Sequence, residues 1–285
     1  MKNGFKIFIC VITLTSCIQH QNKSQTKSLE KTTISQEIDT DSIAAKRIIS
    51  KMVNKVGTMQ KLRDLKNVEY TYTFRMPEKG IEDISKERYI FDGELSWAQY
   101  NTHQIYVFPS QKGTVIQGFD GHTSWTTLGG ISITDPEAVN RSEFLRKTNF
   151  YWFTMMSKLL DTGLKYELLE DRILNGITYK IVKITFEENI GDVQDDYVLY
   201  VNPQTHLVDQ FLFTVREGGF MDPLLMNIEY DIVNGIYIMA KRSVTRADWN
   251  GNKKGEAFIE QVSENILFTT NIDHSLFKAP VYTTK

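Results

Sequence analysis

Runs of alternating apolar and polar residues, separated by turn dipeptides, fill most of this chain and restrict it to a mainly β fold. Val68, Tyr70, Tyr72, Phe74 and Met76 alternate with Glu69, Thr71, Thr73 and Arg75. That period of two buries one face of a strand and leaves the other wet. Similar runs follow at about 86–91, 94–100, 104–108, 113–118 and 123–128. After a break the pattern resumes at about 165–171, 177–187, 195–202, 207–216, 225–232, 236–247 and 255–267. Asp92-Gly93, Asp120-Gly121, Asn175-Gly176, Asn202-Pro203, Gly218-Gly219, Asn234-Gly235 and Asn250-Gly251 stand between runs. These pairs suit tight connections, the glycines supplying positive φ. Successive hairpins predict one antiparallel sheet of about 11 strands. A twisted sheet that wide curls.

Two stretches depart from this pattern. Ala45, Ile48, Ile49, Met52, Val53 and Val56 recur at helical spacing, opposite Lys46, Arg47, Lys51 and Lys55. They predict a helix over about Asp41–Gly57, with Asp41 as N-cap and Gly57 just past its end. Pro136–Leu160 also loses alternation and reads as two short helices broken near Thr148-Asn149, the second ended by Gly163. The expected fold is therefore α+β, mainly β. A large curled sheet, an unclosed β-barrel, is covered on its concave face by an N-terminal helix and two mid-chain helices.

The amino terminus has a separate logic. Lys2 and Lys6 give a positively charged start to an apolar run from Phe5 to Leu14, too short for a bilayer span of about 20 residues. Leu14-Thr15-Ser16 then leads into Cys17, as in a secretory signal. The cysteine after small residues resembles the bacterial lipobox. That resemblance implies cleavage before Cys17 and a fatty-acyl anchor on its thiol. Residues 1–16 are then a lipoprotein signal peptide, 17–40 a lipidated cysteine with a polar, flexible tether, and 41–285 one domain. The other cysteine, Cys10, falls in the signal, so the domain has no disulfide and no thiolate chemistry.

Removing Lys2 and Lys6 leaves 31 basic against 35 acidic side chains, a formal charge of −4. That balance gives no footprint for a nucleic-acid partner, which needs a basic face. His20, His103, His122, His206 and His274 form no helical metal-binding pair, so no metal is expected. The acidic pairs Glu187-Glu188 and Asp195-Asp196 read as solvated loop charge, because neighbours on a strand point to opposite faces. No nucleophile elbow, phosphate loop or dinucleotide fingerprint occurs, and nothing calls for a cofactor.

Gly118-Phe119-Asp120-Gly121-His122-Thr123-Ser124-Trp125 resembles a hairpin of the LolA/LolB-like superfamily of lipoprotein-sorting proteins. Asp273-His274-Ser275-Leu276-Phe277 resembles its closing segment. The order of elements over residues 41–280 is similar too, and is shared with a group of uncharacterised Bacteroidetes lipoproteins. The resemblance implies an apolar hollow, lidded by helices, that holds acyl chains. It also implies a monomer, non-enzymatic, tethered to the outer membrane and facing the periplasm. Ile18-Gln19-His20-Gln21-Asn22 carries neither the acidic cluster of surface export nor an inner-membrane retention Asp.

The candidate lining residues are Tyr70, Tyr72, Phe74, Trp97 and Trp125 on strands, with Trp152, Phe153 and Met156 on the apolar mid-chain segment. Each can equally fill a solid core, which leaves open an interaction or scaffold lipoprotein without an internal ligand. An envelope hydrolase acting on lipid or glycan is a third reading. It requires converging acids or a Ser/His pair.

Overall fold

A computed structural model describes residues 26–188, 195–216 and 220–280. The chain divides into residues 1–39 and 40–285. Of the first unit only the helical backbone from Thr26 is described. Cys17 and the Gly218-Gly219 turn lie outside the described residues.

Three α-helices and one sheet make up the larger unit. The helices are α1 (Thr26–Val56, which enters the unit at Thr40), α2 (Met59–Leu65) and α3 (Pro136–Lys158). The strands are β1 (Asn67–Met76), β2 (Ile81–Ile90), β3 (Leu95–His103), β4 (Val115–Phe119), β5 (Ser124–Leu128) and β6 (Ile131–Ile133), then β7 (Leu164–Leu174), β8 (Ile177–Phe186), β9 (Tyr197–Val201), β10 (Val208–Val215), β11 (Phe220–Val233), β12 (Ile236–Arg246) and β13 (Ile259–Phe268).

All 13 strands form one open antiparallel sheet in the order β6-β5-β4-β3-β2-β1-β13-β12-β11-β10-β9-β8-β7. The first and last strands meet in its middle. The sheet's two edges, β6 and β7, are neighbours in sequence, joined through α3. That helix, 23 residues or about 34 Å long, is the single connection between the N-terminal half (β1–β6) and the C-terminal half (β7–β13). At the tight turns Asn175-Gly176 and Asn234-Gly235 both residues adopt positive φ, as the dipeptides predict.

Four sequence expectations need correction. The mid-chain segment is one helix, not two. Asp135 Oδ2 accepts a hydrogen bond from the Ala138 amide, Pro136 opens the first turn, and the helix runs through Thr148-Asn149. Thr and Asn lower helix propensity by only about 0.7 kcal/mol each, and side chains of the same stretch are anchored to the sheet. The segment 104–108 is not a strand. Asp83 takes the amides of Gln104, Ile105 and Tyr106 at 2.6, 2.8 and 3.0 Å and folds that stretch as a loop. Ile131–Ile133 is a short edge strand that no alternation announces, and the sheet has 13 strands where about 11 are expected. Finally, α1 begins at Thr26, so residues 26–40 of the expected tether are helical. The apolar stripe that marks the helix in sequence starts only at Ala45.

Candidate functional site

Alternation along each strand and the pairing between strands together assign every side chain to a face. The concave face of the N-terminal half carries Tyr70 and Tyr72 on β1, Ser85, Glu87 and Tyr89 on β2, Tyr100 on β3 and Gln117 on β4. Helix α3 crosses this face and sets Arg146 against it. Arg146 and Glu87 are both fully buried. Arg146 Nη1 donates to Glu87 Oε2 at 2.5 Å, and Nη2 donates to Tyr100 Oη at 2.5 Å. Ser85 Oγ and Tyr89 Oη also donate to the Glu87 carboxylate, at 2.7 and 3.0 Å, and Asn149 Nδ2 lies 3.4 Å from it. Because Tyr89 spends its proton on Glu87, the Tyr70 hydroxyl donates to Tyr89, 2.9 Å away.

Burial, the largest single influence, pulls the guanidinium of Arg146 toward neutrality, but the Glu87 charge and hydrogen bond together with Tyr100 and Tyr89 outweigh it and hold Arg146 above its usual range. Burial raises the phenols of Tyr70, Tyr89 and Tyr100. They therefore act as neutral hydrogen-bonding groups.

The C-terminal half is built differently. Its concave face presents Val182, Ile184, Leu199, Phe211, Phe213 and Met226 to Ile49, Met52 and Val53 of α1, to Met155 and Met156 of α3 and to Leu159 just past its end. Twenty-one buried side chains form this cluster. Another fourteen, only partly buried, pack around it, among them Ile48, Tyr151, Trp152, Phe186, Ile228 and Phe258. The apolar surface therefore extends past the footprint of the helices. A second cluster of twelve, which joins β1 and β2 to β12 and β13, has only four such partly buried neighbours.

Six of the eight candidate lining residues lie on this concave side. Tyr70 stacks on Phe153 at 4.8 Å between ring centroids. Tyr72 lies beneath the Arg242 guanidinium, 5.7 Å from its ring. Phe74 meets Tyr106 edge-on at 5.0 Å. Trp152 stacks on Phe211 at 6.2 Å, and Met156 is buried in the C-terminal cluster. Trp97 and Trp125 are on the opposite, convex face. Register pairs Trp97 with Gly118 and Gly118 with Trp125, on the parity opposite to Ala98 and Gln117. There they pack with Ile90 and Phe277, and Trp125 Nε1 donates to the Phe277 carbonyl at 2.7 Å. The indole of Trp125 covers Gly118 so closely that a Cβ there would lie 2.4 Å from the ring. The Gly118–Trp125 motif and the 273–277 segment are thus two sides of one convex contact.

Sequence reading passed over Glu87, Arg146 and Arg242. The inward row Asp83, Ser85, Glu87, Tyr89 is mostly polar, so hydrophobic alternation gives no sign of it. A signal existed at Lys241-Arg242. Two adjacent bases on a strand must face opposite ways; Lys241 is exposed and Arg242 is buried.

Two surface hollows, about 430 and 530 Å³, flank the β3–β4 connection and reach Tyr106 and Arg141 or His103 and Lys112. Neither touches the six concave candidates. His103 pins this connection, its ring nitrogens 3.2 and 2.7 Å from the carbonyls of Phe108 and Gly113. Asp195 binds Thr214 Oγ1 and the Arg216 amide, and Asp196 pairs with Arg216. Among the described residues no three His, Cys, Asp or Glu side chains come together as a metal site, and no helix is long and apolar enough to cross a membrane.

Residues 134–254, covering α3 to the end of β12, match a family of unknown function, DUF6503. No curated relative matches the chain. Among solved structures, a DUF1329 family protein from Desulfovibrio piger is similar with a TM-score of 0.52 and 14% identity, over 82% of this chain and 97% of the other. A putative outer membrane lipoprotein-sorting protein domain from Vibrio parahaemolyticus gives 0.48 and 9%, over 84% and 97%. A LolA superfamily protein from Nitrosomonas europaea gives 0.47 and 13%, over 82% and 97%. The first of these likenesses is one of fold.

Proposed function

We propose that this chain is an envelope lipoprotein, anchored through Cys17, that takes up acyl chains of a lipid or lipoprotein along the apolar half of its concave face. The observation that carries this reading is the border of fourteen partly buried apolar side chains around the C-terminal cluster. Such a border has more apolar surface than α1 and α3 cover. A chain lying along it removes that surface from water at about 0.8 kcal/mol per methylene. Apolar contacts are non-directional, so the α3 end carrying Met155 and Met156 can repack as a chain enters. No covalent step is involved; Asp83, Glu87, Asp195 and Asp196 serve as structural partners.

The N-terminal half favours a second reading, a solidly packed interaction protein. There Tyr70 stacks on Phe153, and Glu87, Arg146 and three tyrosines share one closed network.

The discriminating experiment uses the full chain with Cys17→Ser, which removes the anchor and the need for detergent. A fluorescent long-chain fatty acid should bind and be displaced by unlabelled chains, more strongly as the chain lengthens. Uptake of no acyl probe would move the assignment to the interaction protein. The same substitution should abolish incorporation of labelled palmitate into the protein. Undiminished incorporation would refute the anchor.

A further inference from the structure

We infer that Arg242 receives the anionic head of the bound lipid, a carboxylate or phosphate carried on the chain. This rests on the acyl-chain reading above and adds the chemical class of the ligand.

Arg242 is 6% exposed and Gln261 7%. They are directly opposed on β12 and β13, and Gln261 in turn opposes Phe74 of β1. Arg242 Nε and Nη1, both donors, have no hydrogen-bond partner among the described residues. A guanidinium does not lose its proton in a protein, and a charge removed from water without a partner is strongly unfavourable. The ring of Tyr72 is a weak substitute for an anion.

The carboxylates of the same face are committed elsewhere. Glu87 is held by Arg146, Ser85 and Tyr89, and Asp83 by three loop amides. The strand carboxylates nearest in register, Glu260 and Glu229, face outward and pair with Arg75 and Lys241. The positive charge is therefore uncompensated from within the described chain.

Its surroundings fit a lipid head rather than a free ion. Phe74, Tyr106, Ile228 and Ile259, all half-buried, lie at this end of the face. Ile228 opposes Arg242 directly on β11 and belongs, with Ile259, to the border of the C-terminal apolar cluster. A chain whose acid group meets Arg242 can run from there along that border.

The test compares hexadecanoate, hexadecyl phosphate and hexadecanol as competitors of the fluorescent probe, on the full Cys17→Ser chain at pH 8. One or both acids should bind roughly ten- to a hundredfold more tightly than the alcohol, as a buried charge-assisted hydrogen bond provides. Which acid leads identifies the carboxylate or the phosphate as the head. Arg242→Met should abolish the preference while keeping affinity for the alcohol, and Arg242→Lys should retain part of it. Equal binding of acids and alcohol by the unsubstituted protein would overturn the Arg242 assignment and leave the acyl-chain reading standing. Failure of all three to bind would overturn both. The comparison on the unsubstituted protein does not depend on how Arg242→Met folds.

Discussion

One helix crosses two unlike surfaces. Over the N-terminal half of the sheet, α3 is held by Arg146, whose donors reach Glu87 and Tyr100 at fixed angles. Over the C-terminal half it is held by Met155, Met156 and Leu159 against aliphatic and aromatic strands. Directional bonds between buried groups fix a position, because a small displacement leaves each group unpaired. Apolar packing stabilises proximity and tolerates rearrangement when volume is conserved. The contrast gives the molecule a fixed end and a yielding end of the same helix. Even the yielding end is bounded by one ion pair, Lys158 with Glu94, so freedom to repack is confined to the apolar contacts of Met155 and Met156.

The strongest way to break this contrast is to remove one member of the ion pair. Arg146→Met should destabilise the fold by about 3–5 kcal/mol, because Glu87 is left charged and buried. Adding Glu87→Gln should recover a large part of that loss. Denaturant midpoints of the two single variants and the double variant measure the coupling. Simple additivity would mean that the network does not fix the helix.

On the yielding side, Met226, 1% exposed in the C-terminal cluster, offers a graded comparison. Met226→Ala should cost about 2–5 kcal/mol through the cavity it leaves. Met226→Leu should cost less than about 1.5 kcal/mol. Conservative replacements at Glu87 should not be tolerated in this way. A Met226→Leu penalty as large as that of Met226→Ala would show that this half is as rigid as the other.

Legibility in the sequence followed the same divide. Where one face of an element is buried by apolar side chains, period and fold agree over most of the chain. The stripe from Ala45 to Val56, the alternation of β1 and the Asn-Gly turns were all readable. Where a buried face is polar, the pattern vanishes. Inward Ser85 and Glu87 look like surface positions, and Arg146 resembles any helix-surface base until a carboxylate is placed opposite it. Trp97 and Trp125 failed for another reason. Alternation shows that two faces differ but not which one is concave, and this sheet buries aromatics on both. The contact that decides it, between Trp125 and the Phe277 carbonyl, joins residues 152 positions apart.

High pH should act on both halves through their tyrosines. Burial raises Tyr72 to about 12, with Arg242 working against the shift and Glu87 adding to it. Burial also raises Tyr151 of α3 to about 12, against a lowering by Tyr197. In the unfolded chain each phenol titrates near 10. Below that pH both states are protonated and stability is unaffected. Between about 10 and 12 the unfolded state gives up protons that the fold retains, so stability falls as pH rises. For Tyr72 the loss by pH 11 is about 1.4 kcal/mol. Urea midpoints from pH 8 to 11 should therefore stay flat and then drop. Tyr72→Phe and Tyr151→Phe should each flatten the drop, the first reporting on the fixed half and the second on the yielding one.

The smallest expected effect is also the most informative about which end of α3 moves. Asp135 caps the helix, its Oδ2 accepting from the Ala138 amide at 3.0 Å. Asp135→Ala removes a bond to one of the free amides of the first turn and should cost about 1 kcal/mol. The frayed turn lies beside β6 and ahead of Arg146, so the ion pair still holds the helix where it crosses the N-terminal half. If chains enter under the Met155–Leu159 end, affinity for the acyl probe should be unchanged while the urea midpoint falls. If the whole helix must swing from its first turn, loosening that turn should lower the cost of opening and tighten binding. Measuring both quantities on one variant separates a local repacking of the C-terminal half from a hinge at Asp135.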